Sequence, residues 1–416
     1  MTVSTTRAFS LVTRRAASGL TLTASQLNTV PLLQANLTVR LPIETRADTA
    51  ALEVLAACWS SHPAGARLEQ QGGMVSVHRT RKWLMFSILA TSDLLPLLAD
   101  TLTDVIHTQY PQQLVDAAAA KVAQQATLVN AQPAVDSVRQ MWTRFYGHLP
   151  PEADPSPGAE EVLGVTARQV TEAHRRFIVP QHADLALVGA AAPEYCLDRF
   201  ETALTSWHPS RTAPLPAPRE LAGLSPGVVT CDRPGRQQTQ IRLVSAAQPR
   251  TGIADFAANQ VAAAVLGGSF SSRINTVLRE EHGLAYRCKA APDFIDRDVF
   301  IIEADVTAAR AAEAMHHLHR LTEEFATDGP TEEELAAAVG FITGTYALNL
   351  GSQLGRVALL NACSTQQLPG TALVDIPAAA ARLTVHDVRR AAAHCHPSRL
   401  RGAVCGEGEN LPDHWF

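Results

Sequence analysis

Val165-Thr-Ala-Arg-Gln-Val170 and Leu383-Thr-Val-His-Asp-Val388 decide how this chain folds, because they are one signal in two places. In each, an apolar residue precedes a Thr, whose hydroxyl can accept a backbone N–H and cap a helix. The first helix runs through His174-Arg-Arg176 and the second through His394. Short apolar strands follow, Asp184-Leu-Ala-Leu-Val-Gly189 and Arg401-Gly-Ala-Val-Cys-Gly406, and both stop at Gly. The two stops lie about half a chain apart, so the sequence reads as a repeat.

The beginnings of the two halves match as well. Leu33 to Leu41 alternates like a half-buried strand, as does Thr239 to Val244. Each strand precedes an Ala-rich amphipathic helix, Asp48 to Trp59 and Ala254 to Leu266. Between the halves, Trp207 to Pro218 is Pro-rich and reads as a semi-rigid linker. Strands and long helices mix without strict βαβ alternation, which predicts two α+β halves, each a largely antiparallel sheet with helices on one face. The expected division is 1–206, a linker over 207–226, and 227–416, with the halves related by a pseudo-twofold repeat.

Size and charge agree with this division. A chain of 416 residues exceeds one ordinary core. A net charge of −5, with no basic stripe interleaved with aromatics, argues against nucleic acid as a partner. No apolar run approaches the length needed to span a bilayer, so no membrane role is expected. The 7 cysteines include no Cys-x-x-Cys and read as buried reduced thiols of a cytoplasmic protein. The N-terminus is rich in Arg, Ser and Thr and carries no acidic residue before Glu44, the composition of an organellar transit peptide. Phe9 to Thr13 and Leu20 to Thr23, split by Ala-Ser-Gly19, read instead as a hairpin leading into the first sheet.

The most informative local stretch is Ser271-Ser-Arg-Ile-Asn275 with Arg279-Glu-Glu-His-Gly283-Leu-Ala-Tyr286. It predicts a helix over 271–282, a stop at Gly283 and a strand from Leu284. Arg279 and Tyr286 are then placed at one junction. The bland alternative pairs Arg279 with Glu280 or Glu281 and buries Tyr286 in the core.

Here the chain resembles the pitrilysin/insulinase-type zinc metallopeptidases, the inverzincins. Leu266-Gly-Gly-Ser-Phe-Ser-Ser-Arg273 running into Leu278 to Tyr286 is the most specific likeness. Leu68-Glu-Gln-Gln-Gly-Gly73, Phe145-Tyr-Gly-His-Leu-Pro150 and the segment from Glu332 to Arg356 are similar to further parts of that family. The length suits its short two-lobed members, which work as pairs of chains closing into a clamshell. In such pairs the resemblance implies that one chain holds zinc and the other supplies an Arg and a Tyr, here Arg279 and Tyr286. Ser269 and Phe270, just before the helix, are implied as substrate contacts.

The zinc motif of that family is missing. His-x-x-Glu-His binds zinc through its two His, with a Glu from a later helix, and the Glu of the motif activates water. Aligned with it here are Leu52, Leu55 and Ala56, and residues 47 to 61 contain no His in any register. Residues 70 to 151 contain no Glu, and the expected second helix offers Lys121-Val-Ala-Gln-Gln125. His316 and His319 share a helical face, and His394 and His396 flank a Cys, but neither pair shows a third ligand in sequence.

The chain is therefore expected to bind no metal or other cofactor itself. It would serve as the Arg/Tyr subunit of a heterodimeric zinc metalloendopeptidase, with zinc in a homologous His-x-x-Glu-His partner. Short unfolded peptides, leader or precursor segments among them, would be the substrate. The loop Gly267-Gly-Ser-Phe270 is less Gly-rich than that of the mitochondrial processing enzymes, so a presequence filter is not expected. The alternatives are an inert scaffold, like the core proteins of the respiratory bc1 complex, and a peptide-binding homodimer.

Overall fold

The computed structural model describes residues 3–6, 11–209, 219–221, 226–294, 296–408 and 411. Among the described residues, twelve strands form two sheets. The first holds β1 (Val3–Thr6), β2 (Leu11–Arg15), β3 (Thr21–Gln26), β4 (Leu32–Arg40), β5 (Met74–Thr80), β6 (Trp83–Thr91) and β7 (Ala183–Gly189). The second holds β8 (Gly227–Asp232), β9 (Gln238–Ala246), β10 (Ala285–Asp293), β11 (Val299–Thr307) and β12 (Arg401–Gly406).

The repeat is visible in the strand order. The first sheet runs β1-β2-β3-β7-β4-β6-β5 and the second β10-β11-β9-β12-β8. Read from the other end, the second becomes β8-β12-β9-β11-β10, which matches β3-β7-β4-β6-β5 strand for strand. In each sheet one pair is parallel, β3 with β7 and β8 with β12, and the other pairings are antiparallel. The architecture is α+β, with mixed sheets. The expected caps are in place: Thr166 Oγ1 accepts from the Gln169 amide at 3.4 Å and Thr384 Oγ1 from the Asp387 amide at 3.3 Å. The N-terminal hairpin is also present, as β2 and β3 around Gly19, whose φ of 92° suits a residue without Cβ.

The residues group differently from the expected division at 206 and 227. One compact unit comprises Met1–Val129, Ser156–Pro216 and Ala347–Leu373; the other comprises Asn130–Pro155, Ala217–Tyr346 and Val374–Phe416. Each half lends a helical segment to the other half's sheet. Helix Pro133–Tyr146 packs on β9 and β12, where Met141, Trp142, Phe145 and Tyr146 form a buried cluster with Val244 and Val299. Helix Gln353–Thr365 packs on β4 and β7. Its Arg356 is buried and donates to the Leu350 carbonyl at 2.7 Å, and to Ser25 Oγ and the Gln26 carbonyl at 2.9 Å each. An amphipathic helix goes where its apolar face can be covered, and the sheet of its own half is not the one that covers it. Of the expected linker, 210–218 and 222–225 lie outside the described residues.

The first unit's core carries Trp59, Phe86, Phe177 and Phe200, and the second's carries Phe256, Phe300 and Phe325, all at most 1% exposed. All seven cysteines are free thiols and six are buried. Among the described residues no single helix is long and apolar enough to cross a membrane; Glu332–Leu350 with Gln353–Thr365 passes only as a pair bent by 116°.

Candidate functional site

The junction predicted between 271 and 286 forms in the second unit, with one change. Asn275–Glu281 is wound as a π-helical turn, wider than the α-helix expected, and Ala264–Gly268 likewise ends the preceding helix Ile253–Ala263. Such wide turns are rare and recur at functional sites. The amide of His282 returns to the Val277 carbonyl at 3.2 Å and that of Leu284 to the Leu278 carbonyl at 2.7 Å. Between them Gly283 adopts φ 58°, the stop read from the sequence.

Two anchors hold this turn. Arg273 grips Glu334 with two bonds of 2.7 Å and lays its guanidinium over Phe325 at 5.1 Å. Asn275 Nδ2 donates to the carbonyls of Gly267 at 3.3 Å and Ser269 at 3.0 Å, and to Ser272 Oγ at 3.0 Å, which pins the 267–272 loop. Gly267 lets that loop lie on β10: a Cβ there would stand 2.4 Å from the Ala290 nitrogen. Ser269, expected as a substrate contact, bonds the Ala264 carbonyl through its hydroxyl at 3.4 Å.

β10 is an edge strand, and Tyr286 is the extra residue of a bulge in it: Ala285 pairs with Val306 and Arg287 with Asp305. A bulge kinks a strand and re-aims a side chain. The Tyr286 ring stands 88% exposed and that of Phe270 75% exposed. The core-aromatic reading of Tyr286 is therefore overturned. The Arg279 guanidinium lies 5.2 Å from the Phe270 ring and 5.8 Å from the Tyr286 ring, so the structure brings these three side chains together. Arg279 also meets Glu280 at 3.4 Å, a solvated pair of little energetic weight. The neighbouring Cys288 is no nucleophile at neutral pH, since burial pushes its thiol up to about 11.

The corresponding edge of the first sheet, β5, bounds a groove of about 720 Å³ in the first unit. Helix Arg46–Ser60 forms one wall and helix Gln112–Asn130 the other. Leu52 and Leu55 are wholly buried in the core behind it. The residues of 1-4-5 spacing that line the groove are Glu53, Ala56 and Ala57, one position later than the alignment Leu52/Leu55/Ala56. Glu53 is already paired with Arg79 at 2.8 Å, and Lys121 adds a second cation from the opposite helix. A divalent cation finds there one carboxylate, Glu53, and one imidazole, His78, with small apolar side chains and the Lys121 cation, which is too few donors for a zinc site. These residues do not fit zinc.

Among the described residues no third ligand groups with His316 and His319; His317, one residue on from His316 and not singled out by the sequence reading, comes together with Glu313 and with His282 of the Arg/Tyr junction. Sequence spacing flags Glu313 and His317 at i and i+4, but the approach of His282 is a tertiary event.

A family model described as "Peptidase M16 inactive domain" matches residues 164–340. The chain is 25% identical over 349 residues to an uncharacterised zinc protease of Mycobacterium tuberculosis, covering 82% of this chain and 78% of that protein. A crystal structure of a peptidase M16 inactive domain from Pseudomonas fluorescens superposes with a TM-score of 0.82 at 19% identity, over 98% of both chains. A protease from Helicobacter pylori gives 0.83 at 13% identity, over 96% of this chain and 99% of that one.

Proposed function

The chain belongs to the pitrilysin-type peptidase family and lacks that family's zinc motif, and on this premise we propose that it is the Arg/Tyr-contributing subunit of a heterodimeric zinc endopeptidase. The observation that carries the reading is the grouping of Arg279 with two exposed rings, Phe270 and Tyr286, at a bulged sheet edge. A Tyr held for packing would be buried.

The zinc of a His-x-x-Glu-His partner would supply the activated water. This chain's share is substrate handling. A short extended peptide can add a strand at an open sheet edge, as β10 and β5 offer. The Arg279 guanidinium presents a planar fork that grips a backbone carbonyl and fixes the peptide. The Tyr286 hydroxyl, carried outward by the bulge, donates to the scissile carbonyl oxygen as negative charge builds on it. One such donor is typically worth about 3 kcal/mol. Phe270 supports the Arg279 guanidinium from below, a cation–π contact of about 1 kcal/mol at an exposed site.

The test mixes this chain with a homologous chain from the same genome that carries His-x-x-Glu-His, and follows cleavage of unfolded peptides. The expected result is no cleavage by this chain alone, cleavage by the pair, and a large loss with Arg279→Ala or Tyr286→Phe. A pair that is active with both substitutions present would leave this chain as a scaffold.

A further inference from the structure

We infer that His282, Glu313 and His317 form a divalent transition-metal site in the second unit. Their ligand atoms all lie within 4.8 Å of one another. Glu313 and His317 sit one turn apart on helix Ala311–Asp328, so both project from one face. His282 reaches them from the end of the π-helical turn, and its ring stands 4.3 Å from that of His317, centre to centre.

One further observation points to a ligand, and a second shows how the site is held. The Nδ1 of His317 is sealed from solvent and makes no hydrogen bond, which is costly for a ring nitrogen unless something binds it. Arg310 holds the two halves of the site in place: it donates to the His282 carbonyl at 2.9 Å and to both Glu313 oxygens at 2.7 and 2.8 Å. Each carboxylate oxygen keeps a further lone pair, so this clamp orients Glu313 without occupying it. Two imidazoles and one carboxylate are a donor set for zinc and its transition-metal neighbours, and too poor in oxygen for calcium or magnesium. His282 is exposed and Glu313 and His317 are half-buried.

A metal here would tie His282 to helix Ala311–Asp328. His282 lies between Arg279 and Tyr286 in sequence, so the clip would stiffen the turn that presents both. The inference is independent of the peptidase reading, because it requires neither a partner nor cleavage.

The experiment titrates the full chain alone with Co²⁺, reads the visible bands of a low-symmetry site, and displaces them with Zn²⁺. One equivalent is expected, with affinity lowered at least tenfold by His317→Ala and by His282→Ala, a loss of the order seen when a site is stripped of a supporting group. Glu313→Gln, a near-isosteric change, should also weaken it, and His316→Ala should leave it intact. Circular dichroism checks that each variant is folded. No bands with the folded chain, or binding that persists in His317→Ala and His282→Ala, would overturn the assignment.

Discussion

The edges at β5 and β10 are the same place in the two repeats, and they have been furnished in opposite ways. Both bound the sheet, and both sit beside the first helix of their half. At β5 the helix presents Glu53 neutralised by Arg79, then Ala56 and Ala57. At β10 the turn presents Arg279, Phe270 and Tyr286 outward, with their anchors Arg273 and Asn275 behind. A repeat conserves backbone topology because packing demands it. Polar chemistry at its edges is free to be kept on one side and erased on the other.

The largest effect expected from this contrast is kinetic. In the reconstituted pair, Tyr286→Phe should lower kcat by about 10²–10³, the equivalent of losing one donor to a developing oxyanion. A substitution at the β5 groove such as Lys121→Ala should change kcat far less, and equal losses at both edges would erase the distinction between them.

Next comes the register of the first helix. Leu52→His places a polar ring at a wholly buried position and should cost about 3 kcal/mol or more in urea unfolding. Ala57→His faces the groove and should stay within about 1 kcal/mol of the parent. The reverse ranking would restore the alignment Leu52/Leu55/Ala56.

Acid should also separate the two units. Trp59 Nε1 donates to Tyr110 Oη at 2.9 Å, and Tyr110 Oη meets His174 Nδ1 at 2.5 Å, all inside the first unit. Burial pushes His174 down to about 4 from its ordinary 6.5. The unfolded chain binds that proton below 6.5 and the folded protein only near 4, so stability falls as pH drops through this window. The loss should reach a few kcal/mol at its acid end, read by hydrogen exchange of first-unit amides, and His174→Gln should flatten it. His394, just past the end of the matching helix in the second repeat, is also lowered by burial, but the Ala246 carbonyl works against that shift, and second-unit amides should lose less protection.

The smallest expected effect is at the loop under Phe270. Gly267→Ala drives a methyl group toward the Ala290 backbone and should cost about 1–3 kcal/mol, with a fall in kcat as the loop is displaced from β10. Unchanged melting would mean that the loop has slack.

What the sequence determined by itself was local or repeated. Thr166 and Thr384 cap helices because a hydroxyl reaches an amide three residues on, and Gly283 stops a turn because it alone takes φ 58° without strain. The repeat, the lack of any His between 47 and 61, and the placing of Arg279 and Tyr286 at one junction follow from residue identity and spacing. Only the tertiary structure decided the rest. It sent helices 133–146 and 353–365 to the sheet of the other half, and turned Leu52 inward and Ala57 outward. It also set Tyr286 on a bulge and brought His282 to Glu313 and His317. Capping and stop signals act over a few residues and are written in them. Which face an amphipathic helix buries, and which distant side chain it meets, depends on surfaces that exist only after the sheets have formed.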